Sequence, residues 1–326
     1  VIVVTGGTSG IGLATARMAA QAGARLVLAA RDTSTLDQVR RDLESARGQV
    51  ETVVADVGRQ SDVDRIADAA IRRFGGFDTW VNNAGTSVFA RLQDLTDADA
   101  RRLFDTNFWG VVYGSVAAVK HLKSKGGALL NVGSVLSDVA VPVQGMYVAT
   151  KHAVAGYTDA LRLELEAEHT PVSVTLIRPS SIDTPFPQRA TNYFDREPKL
   201  PPPVYTPQEV AAAILHAAEH PERDVYVGTG GRVLSGFARQ FPETFDLASS
   251  RLMPAAQFRD EPARRPVGTL HAPAAEVDGQ VRGEHPGPVL PLSLSNRVGR
   301  HPLFASLLVV GAGLALAGLL SASVHK

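Results

Sequence analysis

The sequence predicts an α/β fold, a parallel sheet with helices on both faces. Three observations carry that reading. Strand-like and helix-like runs alternate through about the first 230 residues. The strand-like runs are nearly continuous in apolar residues, as strands buried on both faces are. The first of them ends in a glycine-rich turn that opens directly into a helical pattern.

Val1–Thr5 is apolar and β-branched, a strand. Ile11–Ala22 places Ile11, Ala14, Met18 and Ala22 at helical spacing. Ala24–Ala30 reads as a strand, Ser34–Arg47 as a helix and Val50–Ala55 as a strand. Ser61–Phe74 is helical, with Ser61 as the expected N-cap and Val63, Ile66, Ala70 and Phe74 on one face. Thr79–Asn82 is a short strand. Asp97–Leu122 is helical in one or two pieces. Leu129–Val135 is a strand, Met146–Glu168 a helix and Ser173–Arg178 a strand. Pro207–Glu219 is a helix and Val225–Val227 a last short strand.

Three segments divide the chain. Residues 1–250 form the expected catalytic domain. Residues 251–302 hold eight prolines and five glycines and keep no periodicity, so a flexible linker is expected. Residues 303–324 hold no charge in 22 positions, long enough for a transmembrane helix of roughly 30 Å. Gly311 with Ala315, and Gly313 with Ala317, give small-residue spacing that could pair helices or arise from composition. A removable lipid-anchor signal is the lesser alternative, since it would put the domain outside the cell. The expected location is therefore membrane-anchored, with the catalytic domain facing the cytoplasm. No secretory signal is expected, because Val1–Val4 lacks a basic stretch before it.

Composition excludes several chemistries. The chain has no cysteine, which removes disulfides, Cys-ligated metals and thiol nucleophiles. No metal site is expected. Its 33 basic and 33 acidic side chains leave a net charge of zero, with no footprint for nucleic acid.

The glycine turn holds Gly6, Thr8, Ser9, Gly10, Ile11 and Gly12, spaced G-x-x-x-G-x-G. Between a strand and a helix, such a turn lets backbone N–H groups reach a pyrophosphate. After the second strand Ala30 is followed by Arg31 rather than by an acid. A cation there suits a 2′-phosphate, so NADP(H) is expected over NAD(H); Asp32 next door argues the other way. Asp56 and Val57 end the third strand, where the carboxylate can accept from an adenine amine.

Tyr147 and Lys151 are four apart on one helix face, where the ammonium should favour phenolate and lower the Tyr147 pKa. Ser134 lies thirteen residues earlier, at a strand's carboxyl end. Asn82, Asn83, Ala84 and Gly85 end another strand at the same edge. Asn107 interrupts a helical pattern, and its amide could hold a water. Taken singly these have ordinary readings: a capping Ser, a turn, a core-edge Tyr, a surface Lys. Together, in this order and on these elements, they form one constellation.

That constellation resembles the short-chain dehydrogenase/reductase family, in the subtype marked by TGxxxGIG, NNAG, S and YxxxK, over about residues 1–230. The resemblance implies a Rossmann-like doubly wound parallel sheet of about seven strands. It implies a catalytic set of Asn107, Ser134, Tyr147 and Lys151 that interconverts a carbonyl and an alcohol by hydride transfer. Tyr147 would be the general acid/base and Ser134 would polarise the carbonyl. Lys151 would hold the nicotinamide ribose, and Asn107 a proton-relaying water. Asn83, Ala84, Gly85, Pro179, Ile182 and Thr184 would join the cofactor site. A homodimer or homotetramer would form on the helices holding Asn107 and Tyr147. One departure is Ser180, where the family usually has Gly after Pro179; this affects loop geometry near the carboxamide.

Residues 185–207 form the expected substrate lid. Phe186, Tyr193 and Phe194 point either to an apolar substrate or to a loop packed on the core. Val233, Phe237, Phe241 and Phe245 repeat at spacing four, as a packed helix, a subunit contact or an apolar face near the substrate mouth. The leading expectation is an enzyme; the alternative is a non-catalytic nucleotide-binding or scaffold protein on the same fold.

Overall fold

The computed structural model describes residues 1–273 and 279–291. The elements run β1 (Ile2–Thr5), α1 (Gly10–Gln21), β2 (Arg25–Ala30), α2 (Thr33–Ser45), β3 (Gln49–Val54), α3 (Gln60–Phe74) and β4 (Thr79–Asn82). The second half continues with β5 (Val88–Phe89), α4 (Asp97–Phe104), a π-helical turn (Asp105–Trp109), α5 (Gly110–Leu122) and β6 (Gly127–Val132). After a 3₁₀ turn (Val135–Ser137) come α6 (Gly145–Ala167), β7 (Val172–Pro179), β8 (Ser181–Ile182), α7 (Phe186–Arg189) and β9 (Thr191–Asn192). Then follow β10 (Arg196–Pro198), β11 (Val204–Tyr205), α8 (Pro207–Glu219) and β12 (Asp224–Val227). Last come α9 (Thr229–Gln240), α10 (Pro242–Ala256), β13 (Phe258–Pro262) and β14 (Val289–Leu290).

The main sheet has seven strands in the order β12-β7-β6-β4-β1-β2-β3, and every pairing in it is parallel. Strand order reverses between β1 and β4, so the carboxyl ends of these strands open a crevice, the place where such sheets bind ligands. Two apolar layers follow from the period of two along each strand. In β1 Val4 packs on one face and Val3 on the other; in β2 Leu26 and Leu28 oppose Val27 and Ala29. Leu13 of α1 and Ile214 of α8 close the first layer, Ile66 of α3 and Ala118 of α5 the second, all fully buried. Each of the Leu and Ile side chains contributes about 1.5–3 kcal/mol of burial free energy.

Under α5 the sheet carries a buried polar cluster. Asn82 Nδ2 donates to Asn131 Oδ1 at 2.9 Å, to Ser115 Oγ at 3.2 Å and to the Val111 carbonyl at 3.3 Å. Asn82 Oδ1 accepts from Trp80 Nε1 at 2.8 Å, and Asn131 Nδ2 donates to Thr158 Oγ1 at 3.0 Å. These bonds lock β4, β6, α5 and α6 together in one register.

Two expectations change. Ser61 lies inside α3; Arg59 holds the N-cap position and no side chain caps it. The run Val233, Phe237, Phe241, Phe245 is not one helix. Pro242 opens a new one, so Phe241 sits at the break, half exposed, and Phe245 alone of the four is buried.

The described part of the expected linker, 251–273 and 279–291, is packed rather than free. β13 pairs antiparallel with β10, and β14 pairs parallel with β11. Leu270 is 1 % exposed. Arg264 bridges Glu197 at 3.4 Å and Glu284 at 2.9 Å, while Arg282 Nε holds Asp183 Oδ2 at 2.7 Å. Residues 251–256 complete α10, which carries Pro254 inside it, and beyond it backbone pairing with a distant segment needs no local periodicity. We call residues 258–273 and 279–291 the strap. Among the described residues no helix is long and apolar enough to cross a membrane. The expected span, 303–324, lies outside the described residues.

A methyl group at Gly114 would lie 2.0 Å from Asn82 Oδ1 and 2.8 Å from Trp80 Nε1. Gly114→Ala should therefore cost about 1–3 kcal/mol in urea denaturation. An unchanged midpoint would show that α5 can lift from β4 without loss.

Candidate active site

At the crevice the glycine turn is fixed by β4. Thr5 Oγ1 accepts from the Asn83 and Ala84 N–H groups at 3.0 and 3.1 Å. Asn83 Nδ2 donates to the carbonyls of Thr5 at 2.9 Å and Gly6 at 3.2 Å. The Asn83 amide thus braces the loop. A Cβ at Gly12 would sit 2.1 Å from the Gly6 carbonyl oxygen, so α1 can approach the turn only with glycine there. Ser9 caps α1 by position, yet its side chain makes no capping bond. Its hydroxyl instead receives Arg189 Nη1, from α7 in the lid.

The next two strands supply the charged groups. Asp32 is turned into the cap of α2, where its Oδ1 accepts from Thr35 N at 2.7 Å, Thr35 Oγ1 at 2.6 Å and Ser34 Oγ at 2.7 Å. These bonds hold its carboxyl below the ordinary range. Arg31 points the other way. Its Nη1 donates to the Leu270 carbonyl at 3.1 Å and its Nη2 to the Thr269 carbonyl, both on the strap. Asp56 accepts from Gly58 N at 3.1 Å and from Arg102 Nη2 of α4 at 2.7 Å.

The strap also meets the glycine turn. Gly10 N–H donates to the Gln280 carbonyl, and Gly279 N–H to the Thr8 carbonyl, both at 2.9 Å. Thr269 N–H donates to the Arg189 carbonyl at 2.8 Å, joining strap and lid.

Beyond β6, Ser134 caps the 3₁₀ turn and accepts from Leu136 N at 3.1 Å. Arg178 of β7 holds Asp138, just after that turn, at 2.8 Å, and a buried ion pair of this kind keeps the turn in place. Tyr147 and Lys151 are both buried on α6, with Lys151 Nζ 5.7 Å from the Tyr147 ring centroid. Lys151 Nζ donates to the Val132 carbonyl at 2.8 Å. The expected lowering of the Tyr147 pKa by Lys151 is overturned. Burial pushes the phenol up to about 12, against a hydrogen bond from Ser134 that pulls it down. Burial also pulls Lys151 down to about 8. Desolvation disfavours both charged forms, which spacing along the helix does not reveal.

Asn107 sits in the π-helical turn, fully buried. Its Oδ1 accepts from Thr86 N at 2.9 Å, and its Nδ2 donates to the Thr86 carbonyl at 2.9 Å and to Thr150 Oγ1 at 3.2 Å. Both N–H donors are taken, so only the oxygen retains a lone pair toward the expected water. The carboxamide ties the loop after Gly85 to the helix turn that carries Lys151.

Ser180 takes ordinary backbone: the positive-φ non-glycine positions among the described residues are Arg47, Val143 and His169. The Ser therefore leaves the loop unstrained. Thr184 packs on Gly10, and Ile182 is buried in the core. In the lid, Phe186 meets the Tyr147 ring edge-on at 5.6 Å. Phe194 packs on Phe258 at 4.8 Å, and Tyr193 Oη donates to Asp99 at 2.6 Å. So one lid aromatic faces the reacting end, and two fasten the lid.

A cavity of about 410 Å³ follows this edge. Gly6, Thr8, Ser9, Gly10, Ile11, Arg31, Asp56, Val57, Asn83, Ala84, Gly85, Ser134, Tyr147, Lys151, Pro179, Ile182 and Thr184 all line it. Of the expected site residues, only Gly12 and Asn107 stand behind its wall. Arg189, Arg102 and the strap were not foreseen; no periodicity or motif marks them, because each acts across long sequence separations.

The chain matches the short chain dehydrogenase family model over residues 1–193. It is 43% identical over 317 residues to the uncharacterized oxidoreductase YxnA of Bacillus subtilis, covering 95% of this chain and 88% of that one. It is 36% identical over 206 residues to 11-beta-hydroxysteroid dehydrogenase 1A of Arabidopsis thaliana, covering 61% and 56%. A short chain dehydrogenase/reductase from Burkholderia phymatum in complex with NAD shares the fold at a TM-score of 0.67 and 24% identity, covering 74% and 94%. An alcohol dehydrogenase from Thermococcus sibiricus complexed with 5-hydroxy-NADP matches at a TM-score of 0.60 and 28% identity, covering 69% and 94%. By its family match and its long alignment with a relative, the chain belongs to the short-chain dehydrogenase/reductase family of oxidoreductases.

Proposed function

We propose that this oxidoreductase interconverts a carbonyl and an alcohol with NADP(H), using Tyr147 as general acid and base. One observation carries the reading: Ser134, Tyr147 and Lys151 meet in the cavity that the glycine turn also lines.

The residues fit a nicotinamide dinucleotide. The turn around Gly12 leaves a cradle that a Cβ would fill. Arg31 ends β2 while Asp32 is spent in the α2 cap, which favours a 2′-phosphate over a bare 2′-hydroxyl. Gly6–Gly12 would hold the pyrophosphate, Asp56 the adenine, Lys151 the ribose, and Pro179–Thr184 the carboxamide. The bound cofactor supplies or accepts hydride at the substrate carbon.

The protein's part is proton transfer at the substrate oxygen. With its phenol pushed up to about 12, Tyr147 carries its proton at neutral pH and can give it to the oxygen during reduction. Ser134 accepts from Leu136 N, and its hydroxyl, which here bonds Tyr147, would turn its hydrogen to the same substrate oxygen. Lys151 is charged below about pH 8, and its ammonium offsets negative charge on Tyr147 as the proton leaves. Phe186 against the Tyr147 ring supports an apolar substrate and helps exclude water.

We propose too that residues 303–324 anchor the protein in a membrane, with the catalytic domain on the cytoplasmic side. The support is the uncharged 22-residue stretch itself.

Tyr147→Phe should lower kcat by about 10²–10⁴-fold while the chain still binds NADPH. Turnover equal to the parent's would end the Tyr147 assignment, and NADPH binding with no turnover on any aldehyde, ketone or sterol would favour the non-catalytic alternative. Arg31→Ala should raise KM for NADPH far more than for NADH; equal effects would remove the cofactor preference. Deleting the chain after Arg300 should move it from the membrane pellet to the supernatant. A truncated chain that still pellets refutes the anchor.

A further inference from the structure

Arg102 lies on α4 and Arg31 at the end of β2, yet their guanidinium groups converge on one atom. Arg31 Nη1 and Arg102 Nε each lie 3.1 Å from the carbonyl oxygen of Leu270. Arg31 also donates to the neighbouring Thr269 carbonyl. Arg102 is largely buried, its side chain 17 % exposed, and its Nη2 is fixed by Asp56 at 2.7 Å. The two forks are therefore aimed by the fold, not by chance contact of long surface side chains.

Planar guanidinium donors that reach one point from two elements match an oxyanion with several terminal oxygens better than a single carbonyl. The point lies at the carboxyl end of β2, where a dinucleotide's adenosine ribose is read. Arg31 and Thr269 line the cavity there, and Arg102 joins them through the Leu270 carbonyl that it shares with Arg31.

We propose that Arg102 is a second reader of the cofactor's 2′-phosphate, forming with Arg31 a two-arginine phosphomonoester site whose donors the Thr269 and Leu270 carbonyls now engage. The proposal rests on the NADP(H) reading and adds a specificity-determining residue to it. A phosphate docking there displaces two neutral carbonyls from the arginines and gains charge-assisted bonds in their place. Arg102 keeps Asp56 through Nη2 meanwhile, so one side chain serves the adenine end and the phosphate end with different nitrogens. The strap contact is then the price of NADP(H) entry, and NADH, without the 2′-phosphate, has nothing to offer in exchange.

The test is a set of binding titrations on the full chain with NADPH, NADH, 2′-AMP and 5′-AMP. Arg102→Gln should weaken NADPH by roughly tenfold or more beyond any weakening of NADH, the worth of one charge-assisted hydrogen bond. The same excess should appear for 2′-AMP over 5′-AMP. Equal weakening of each pair, or none, overturns the proposal and leaves Arg102 as a support for Asp56 alone. Should Arg102→Gln not fold, Arg102→Lys keeps the charge and loses the fork, and a loss confined to the 2′-phosphorylated ligands is again the expected result. A parent protein with no preference for NADPH over NADH overturns the cofactor reading itself, and that result is visible before any substitution is made.

Discussion

The N–H groups in the first turn of α1 need acceptors, and much of the site follows from how that need is met. A helix leaves its first donors without intrahelical partners. Ser9, at the cap position, does not supply a side-chain acceptor. The Gly10 N–H instead donates to the Gln280 carbonyl, some 270 residues further along the chain. That bond brings the strap to the glycine turn. The strap then reaches Arg31 through Thr269 and Leu270, and Asp183 through Arg282. A turn suited to phosphate oxygens is equally suited to backbone carbonyls, since both are acceptors on the helix axis.

The reacting end follows a different constraint, burial. Tyr147 and Lys151 lie deep enough that desolvation governs both, moving the phenol up and the ammonium down. The pair is thus further apart in proton affinity than free Tyr and Lys side chains, in the sense opposite to the one spacing alone suggests: burial moves each toward its neutral form. A buried ammonium persists only with partners, and the Val132 carbonyl is one of them. Asn107 contributes by fixing Thr150, the residue before Lys151, to the loop at Thr86. The π-helical turn is what points its carboxamide inward, an irregularity of the kind often retained where function requires it.

The chemistry-bearing residues were legible because local rules place them. A strand of period two ends at a sheet edge, and a helix sets Tyr147 and Lys151 on one face. Those rules put Ser134, Tyr147, Lys151 and the glycine turn at one crevice. They say nothing about how deep the pair would lie, so the direction of the Tyr147 shift was not legible. Nor could they separate Asn82 from Asn83. The two are adjacent, but Asn82 locks α5 to the sheet and Asn83 braces the glycine turn. The strap was hidden for a related reason. Its strands are two to five residues long and pair with segments such as β10 and β11 across the lid, so no window of sequence contains both partners.

Lid and strap make the two halves of the site interdependent. α7 is only four residues long, yet it sends Phe186 to the Tyr147 ring and Arg189 to Ser9 of the glycine turn. The Arg189 carbonyl is in turn held by Thr269 of the strap, whose own carbonyl takes Arg31. Arg31, Thr269, Arg189 and Ser9 therefore form a chain of hydrogen bonds from the end of β2 to the glycine turn, and α7 carries it on to the Tyr147 ring. The glycine turn and the Tyr147 end of the cavity are thus tied through one short helix, and the strap is the piece of chain that joins that helix to Arg31.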